Sequence, residues 1–171
     1  MSRARLILGL VVLAVEAYTA AARSPGPAPS ASSSSSSGRV TRVVDGDTIH
    51  VMVGGRDENV RYIGVDTPES VKPGTPVQCF AERASAFNKR LVAGERVRLV
   101  RDAEERDRYG RLLAYVYRVR DGLFINATLV TGGYAVPLTI PPNVAHAKEF
   151  RTLAATARRK GRGLWSSCRS S

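Results

Sequence analysis

The stretch that decides the fold is Val43–Val51, "VVDGDTIHV". Asp-Gly between runs of β-branched and apolar residues is a strong hairpin signal. Upstream, 40–45 reads as one strand. Downstream, Ile49, Val51 and Val53 alternate with polar residues, the period of a half-buried strand. The same stretch carries two carboxylates two residues apart, a pattern that can serve a hard cation. The stretch is therefore either a plain turn or a turn that builds half of a metal site.

Short strands and late helices continue outward from this hairpin. "GGRDE" (54–58) is a second turn, and 59–65 a third strand stopped by Thr67-Pro68. "FAERASAFNKRLVAG" (80–94) has helical spacing, with Phe80, Ala84, Phe87 and Leu91 on one stripe and Gly94 at its exit. Residues 96–101 and 111–119 are two more strands, separated by the charged loop "DAEERDRYG". Ile125–Thr131 reads as a short helix ended by two glycines, with Asn126 capping or packing rather than carrying a glycan. A last helix spans 144–160 on a stripe of Phe150, Leu153, Ala154 and Ala157. Five strands with about three helices predict an α+β, OB-fold-like Greek-key barrel, an architecture that often binds nucleic acids.

The first 22 residues have the pattern of an export signal. Arg3 and Arg5 precede the apolar run Leu6–Val15, and Ala20–Ala22 offers a small-residue cleavage site. That run is shorter than the roughly 20 residues of a membrane span. Residues 23–38, rich in Ser, Pro, Ala and Gly, read as a disordered linker. The compact domain is expected over 39–168. Export permits a disulfide between the two cysteines, Cys79 and Cys168, which lack redox or zinc spacing; two separate thiols are the alternative.

The formal charge is +11, beyond the magnitude of about 2–8 usual for a small domain. Such a chain attracts polyanions. An EF-hand is excluded, because Ile49, His50 and Arg56 occupy positions that need an oxygen ligand, a glycine and a glutamate. Zinc finds no cluster, since His50 and His146 lie far apart without ligand-spaced partners. What remains is a set of acids and arginines at strand ends: Asp45, Asp47, Arg61, Asp66, Glu69 and Arg111.

"VVDGDTIHV", "VRYIGVDTPES", "FAERASAFNKRLV", "DRYGRLLAYVY" and "GRGLW" occur in this order over residues 39–165. Together they resemble the staphylococcal nuclease family. The resemblance implies a Ca²⁺-dependent nuclease that hydrolyses phosphodiesters of DNA and RNA and leaves 3′-phosphate ends. It implies that Asp47, Asp66 and the Thr67 carbonyl hold Ca²⁺. Glu69 would face the attacking water, Arg61 and Arg111 would hold the scissile phosphate, and Arg108 and Tyr109 would lie near a flanking phosphate. Asp45 is expected as a turn or supporting residue. The tyrosines that line the family's nucleotide pocket have no counterpart in "VPLTIPPN" (136–143); Tyr134 lies close by in sequence. A secreted or wall-retained monomer is expected, with nucleic acid as partner and only transient membrane contact during export. A non-catalytic nucleic-acid-binding barrel is the rival reading.

Overall fold

The computed structural model describes residues 35–69, 74 and 76–168. The expected export signal and most of the linker lie outside the described residues. Among the described residues seven strands occur: β1 (Ser35–Val43), β2 (Thr48–Val53), β3 (Arg56–Tyr62), β4 (Val65–Asp66), β5 (Arg96–Val100), β6 (Leu112–Arg118) and β7 (Val136–Pro137). Four helices accompany them among the same residues: α1 (Ala81–Val92), α2 (Ile125–Thr131), α3 (Ala147–Arg159) and α4 (Leu164–Ser167). Five strands close a barrel in the order β1-β2-β3-β6-β5, and β4 and β7 pair separately. The expected α+β, OB-fold-like barrel is the fold, with the short α4 added.

Closure depends on residues that composition assigned to the linker. Ser35–Gly38 pair antiparallel with Val97–Val100 and so supply the first part of β1. Strand pairing uses backbone groups, so a serine run can fill an edge that would otherwise stay open. Gly38 is buried, and a Cβ there would collide with the Met52 carbonyl oxygen and lie 2.7 Å from Val51. The glycine permits strand contact.

The barrel interior is built from inward residues at the two-residue period. Ile49, Val51, Val60, Val97, Leu99, Ala114 and Val116 are wholly buried. β6 is covered on its outer side as well: the Tyr115 ring lies 6.3 Å from that of Phe150 on α3. The predicted stripe of α1 is rotated. Its buried residues are Ala81, Ala84, Asn88 and Val92, whereas Phe87 and Leu91 are only partly covered. Burial of Asn88 is tolerated because its side chain is fully engaged, as shown below.

Register places the functional residues. Thr48 on β2 faces Arg61 on β3. The parallel pair β3–β6 then sets Arg61 opposite Leu113, two residues from Arg111. Asp66 on β4 faces Val136 on β7. One barrel end thus collects residues from four strands.

A buried amide and a disulfide secure the far parts of the chain. Asn126 is buried and packs rather than caps: its Oδ1 accepts from Val116 N–H at 2.9 Å and its Nδ2 donates to the Ile63 carbonyl at 2.9 Å. Cys79 and Cys168 form a disulfide with a Cα–Cα distance of 5.9 Å. The bridge ties the start of α1 to the end of α4.

Asn126→Ala leaves two buried backbone groups without partners, so a loss of about 2–4 kcal/mol is expected in urea unfolding. Intact mass of native protein after alkylation should show no free thiol. Arg118 bonds Asp121 at 2.6 Å and holds its carboxyl down at about 2, below the ordinary 3.8. This contribution is present above about pH 4 and is lost as pH falls towards 2. Asp121→Asn should therefore flatten the acid limb of stability against pH over that window.

Candidate active site

The Asp45–Asp47 turn is shaped by its own carboxylate. Asp45 Oδ1 accepts the Asp47 N–H at 3.0 Å, a local turn bond typical of aspartate. Val44 and Asp45 N–H groups both reach the Thr48 carbonyl, at 2.9 and 3.4 Å. Gly46 does not use a positive φ here. Its role is proximity: a Cβ would fall 2.6 Å from Thr67 Oγ1.

That proximity lets Asp47 organise the site. The residue is 4% exposed. Its Oδ2 accepts from Thr67 N–H at 2.7 Å and from the Thr67 hydroxyl at 2.8 Å. Its Oδ1 accepts from Thr48 Oγ1 at 3.2 Å and lies 2.8 Å from Arg61 Nη1. Arg61 Nη1 also donates to the Val65 carbonyl at 3.0 Å, and Nη2 to Asp66 Oδ1 at 2.8 Å. One guanidinium therefore spans Asp47 and Asp66. In this structure the terminal nitrogens of Arg61 bond the two acids.

Arg111 is held differently. Its Nε donates to Asp107 Oδ2 at 2.7 Å, while its own N–H and that of Tyr109 donate to Asp107 Oδ1. Burial raises the Asp107 pKa, but these bonds from Arg111 and Tyr109 outweigh it and leave the carboxyl below its ordinary range. The terminal nitrogens of Arg111 have no partner among the described residues. Its guanidinium carbon lies 5.5 Å from the Tyr109 ring centre. Tyr109 is 67% exposed, and Arg108 Nη2 donates to its hydroxyl at 2.6 Å.

Asp47, Arg61, Asp66, Thr67, Glu69 and Arg111 line one polar cavity of about 200 Å³, together with Asp45. Burial, then the charge of Asp47, pushes the Asp45 carboxyl up to about 6. The Glu69 loop is pinned by Gln78, whose Oε1 accepts Glu69 N–H at 2.9 Å. Arg108 and Tyr109 stand outside this cavity. A second cavity of about 190 Å³ shares Arg61 and Arg111 and is walled by Val65, Leu113, Leu138 and Ile140. Tyr134 does not line it; its ring stacks on Phe87 at 3.9 Å.

Sequence reasoning missed Asn88. Its Nδ2 donates to the Asp45 carbonyl at 2.9 Å, and its Oδ1 accepts from the Tyr62 hydroxyl at 3.0 Å. Burial keeps that hydroxyl protonated, its pKa far above the ordinary value. The signal was available: a polar residue one step from a helix's apolar stripe. The partner carbonyl was not.

The cavity groups able to ligate a cation, as distinct from the two guanidinium groups, are all oxygens, which suits a hard cation. Among the described residues no three acidic, His or Cys side chains converge as a metal cage. A cation here would rest on two carboxylates and a backbone carbonyl, an open set. Acids and a free guanidinium fork around a small cavity at the mouth of such a barrel are suited to attack on a phosphate diester.

The profile described as staphylococcal nuclease homologue matches residues 59–167. A thermonuclease of Staphylococcus intermedius is 45% identical over 126 residues, 74% of each chain. A thermonuclease of Staphylococcus hyicus is 42% identical over 128 residues, 75% of each chain. Endonuclease YncB of Bacillus subtilis is 42% identical over 127 residues, 73% of this chain and 59% of its own. The chain belongs to the staphylococcal nuclease family and is a nuclease.

Gly46→Ala should push Thr67 away from Asp47. The expected result is at least a tenfold fall in cleavage rate, with about 1–3 kcal/mol of destabilisation from overpacking. Parallel rate and urea-unfolding measurements check both.

Proposed function

We propose that this chain is an exported, Ca²⁺-dependent endonuclease that hydrolyses phosphodiesters in DNA and RNA and leaves 3′-phosphate ends. The observation that carries the reading is the single cavity lined by residues as far apart in sequence as Asp47 and Arg111. The thermonuclease relatives support it, and the reading requires no second subunit. Export is supported by the leader pattern of residues 1–22 and by the disulfide. The division into a leader, a linker and a nuclease domain belongs to the same proposal. Among the described residues no helix is long and apolar enough to cross a membrane.

Asp47, Asp66 and the Thr67 carbonyl would hold the cation. Bound there, Ca²⁺ would supply positive charge that polarises a phosphoryl oxygen and acidifies a coordinated water. The chain's own residues do the rest. Thr67 and Arg61 orient the Asp47 carboxylate, and Arg61 balances the charge of the two acids and, with Arg111, holds the scissile phosphate. The free fork of Arg111 binds two phosphate oxygens and stabilises the extra negative charge of the transition state. Glu69 orients the attacking water. Arg108 and Tyr109 flank the strand, and the aliphatic cavity receives a base.

Hydrolysis of single- and double-stranded DNA and RNA, with Ca²⁺ and with chelator, tests the proposal. Activity should require Ca²⁺ and find poor support from Zn²⁺. Arg111→Ala and Glu69→Ala should stop cleavage with little change in melting temperature. A phosphate-stabilising arginine contributes about 10³–10⁵ in rate in other phosphoryl-transfer enzymes, and a loss of that order is expected here. Arg111→Lys should restore little, because an ammonium lacks the planar fork. Binding of DNA without any cleavage in Ca²⁺ would establish the rival, non-catalytic barrel. Leu138→Tyr adds a ring where the wall is aliphatic; stacking of about 1–3 kcal/mol per base should tighten substrate binding about tenfold or more.

A further inference from the structure

From Phe150 to Ser171 the sequence contains no acidic residue. Within this stretch Arg158, Arg159, Lys160 and Arg162 are all exposed. None enters an ion pair among the described residues, unlike Arg101, Arg106, Arg111, Arg118 and Arg120; the exposed Arg39, Arg56, Arg96 and Arg98 of the barrel also enter none, so they match these cations in charge and pairing but lie away from the groove. Arg162 donates to the Thr131 carbonyl at 3.2 Å, which fixes it beside α2. It lines an open groove of about 610 Å³ together with Phe87, Phe124, Leu153 and Tyr134. On the α1 side, the exposed Arg90 lies over the Phe87 ring, 5.4 Å from its centre. The one carboxylate on the groove, Glu149, is bonded to His146 at 2.6 Å. The disulfide fastens α4 to the start of α1, so the cationic C-terminal segment and α1 are held in one arrangement.

We propose that this groove and its basic rim form a second contact surface for single-stranded nucleic acid, distinct from the cavity where cleavage occurs. Unpaired cations favour a polyanion, since each phosphate contact releases counterions and no protein acid must first be displaced. Aromatic walls beside the cations favour unstacked bases over a smooth anionic surface. The surface would hold a part of the polymer away from the scissile bond. It would therefore raise affinity for long substrates and leave the chemical step alone. This rests on the nuclease reading only for its use, because binding is measurable without cleavage.

The test compares wild type with the variant Arg90→Gln/Arg158→Gln/Lys160→Gln/Arg162→Gln. A control variant removes the same charge from the barrel, as Arg39→Gln/Arg56→Gln/Arg96→Gln/Arg98→Gln. Binding of a fluorescent 30-nucleotide single strand is followed by anisotropy in chelator over a series of salt concentrations. The expected result for the groove variant is an affinity at least tenfold weaker near 0.15 M salt. Its salt slope should fall by about 2–3, at roughly 0.7 per lost phosphate contact. The control should lose clearly less. In Ca²⁺, KM for the long strand should rise while kcat on a dinucleotide stays unchanged. Equal losses in both variants would reduce the effect to net charge and overturn the proposal. Unchanged strand affinity, with lost binding to anionic phospholipid vesicles, would overturn it in favour of a membrane-contact face. If wild type binds but does not cleave, the nuclease reading fails and the binding comparison still decides this one.

Discussion

The bonds between the Asp47 carboxylate and Thr67 are the constraint on which the site depends. Asp47 belongs to the turn before β2, and Thr67 follows β4. Two short bonds, at 2.7 and 2.8 Å, fasten these loops together in a buried setting. A buried carboxylate must be satisfied to remain charged. Thr67, Thr48 and Arg61 supply that satisfaction. The same bonds aim Asp47 and Asp66 at one cavity, so stability and chemistry rest on the same contacts.

The barrel makes this arrangement possible through register. β2 pairs with β3, and β3 runs parallel to β6. Three neighbouring strands therefore bring Asp47, Arg61 and Arg111 to one rim. The small β4–β7 pair adds Asp66 to it. Support comes from behind through Asn88 and Tyr62, which join α1 to the Asp45 carbonyl across buried ground. Such a fully satisfied polar chain rigidifies the turn at no cost in unpaired groups.

The two arginines of the site occupy different electrostatic positions. Arg61 is sheltered, with 14% of its side chain exposed, and lies between two acids. Arg111 keeps one edge on Asp107 and offers its terminal fork to the cavity. Arg61 is engaged by two protein acids, whereas Arg111 keeps terminal donors beside the cavity that no described residue engages. Away from the site, the contrast repeats at larger scale. Arg61, Arg101, Arg106, Arg111, Arg118 and Arg120 pair with acids, whereas none of the described basic residues after Phe150 does.

Much of the barrel was legible in the chain. The alternation of Ile49 and Val51, the Asp-Gly turn and the helix over 125–131 rest on local rules of period and turn chemistry. The acids and arginines of the site were legible because their motifs are contiguous. Three features were decided only by tertiary structure. Ser35–Gly38 became a strand because an open β5 edge accepts any backbone that fits, and composition says nothing about which edge is open. Asn88 became buried because a carbonyl and a hydroxyl from distant elements meet it there. Arg61 came to span Asp47 and Asp66 because strand register set its reach. Local sequence determines which residues favour a strand, turn or helix; which distant groups become hydrogen-bond partners is determined only when the chain closes on itself.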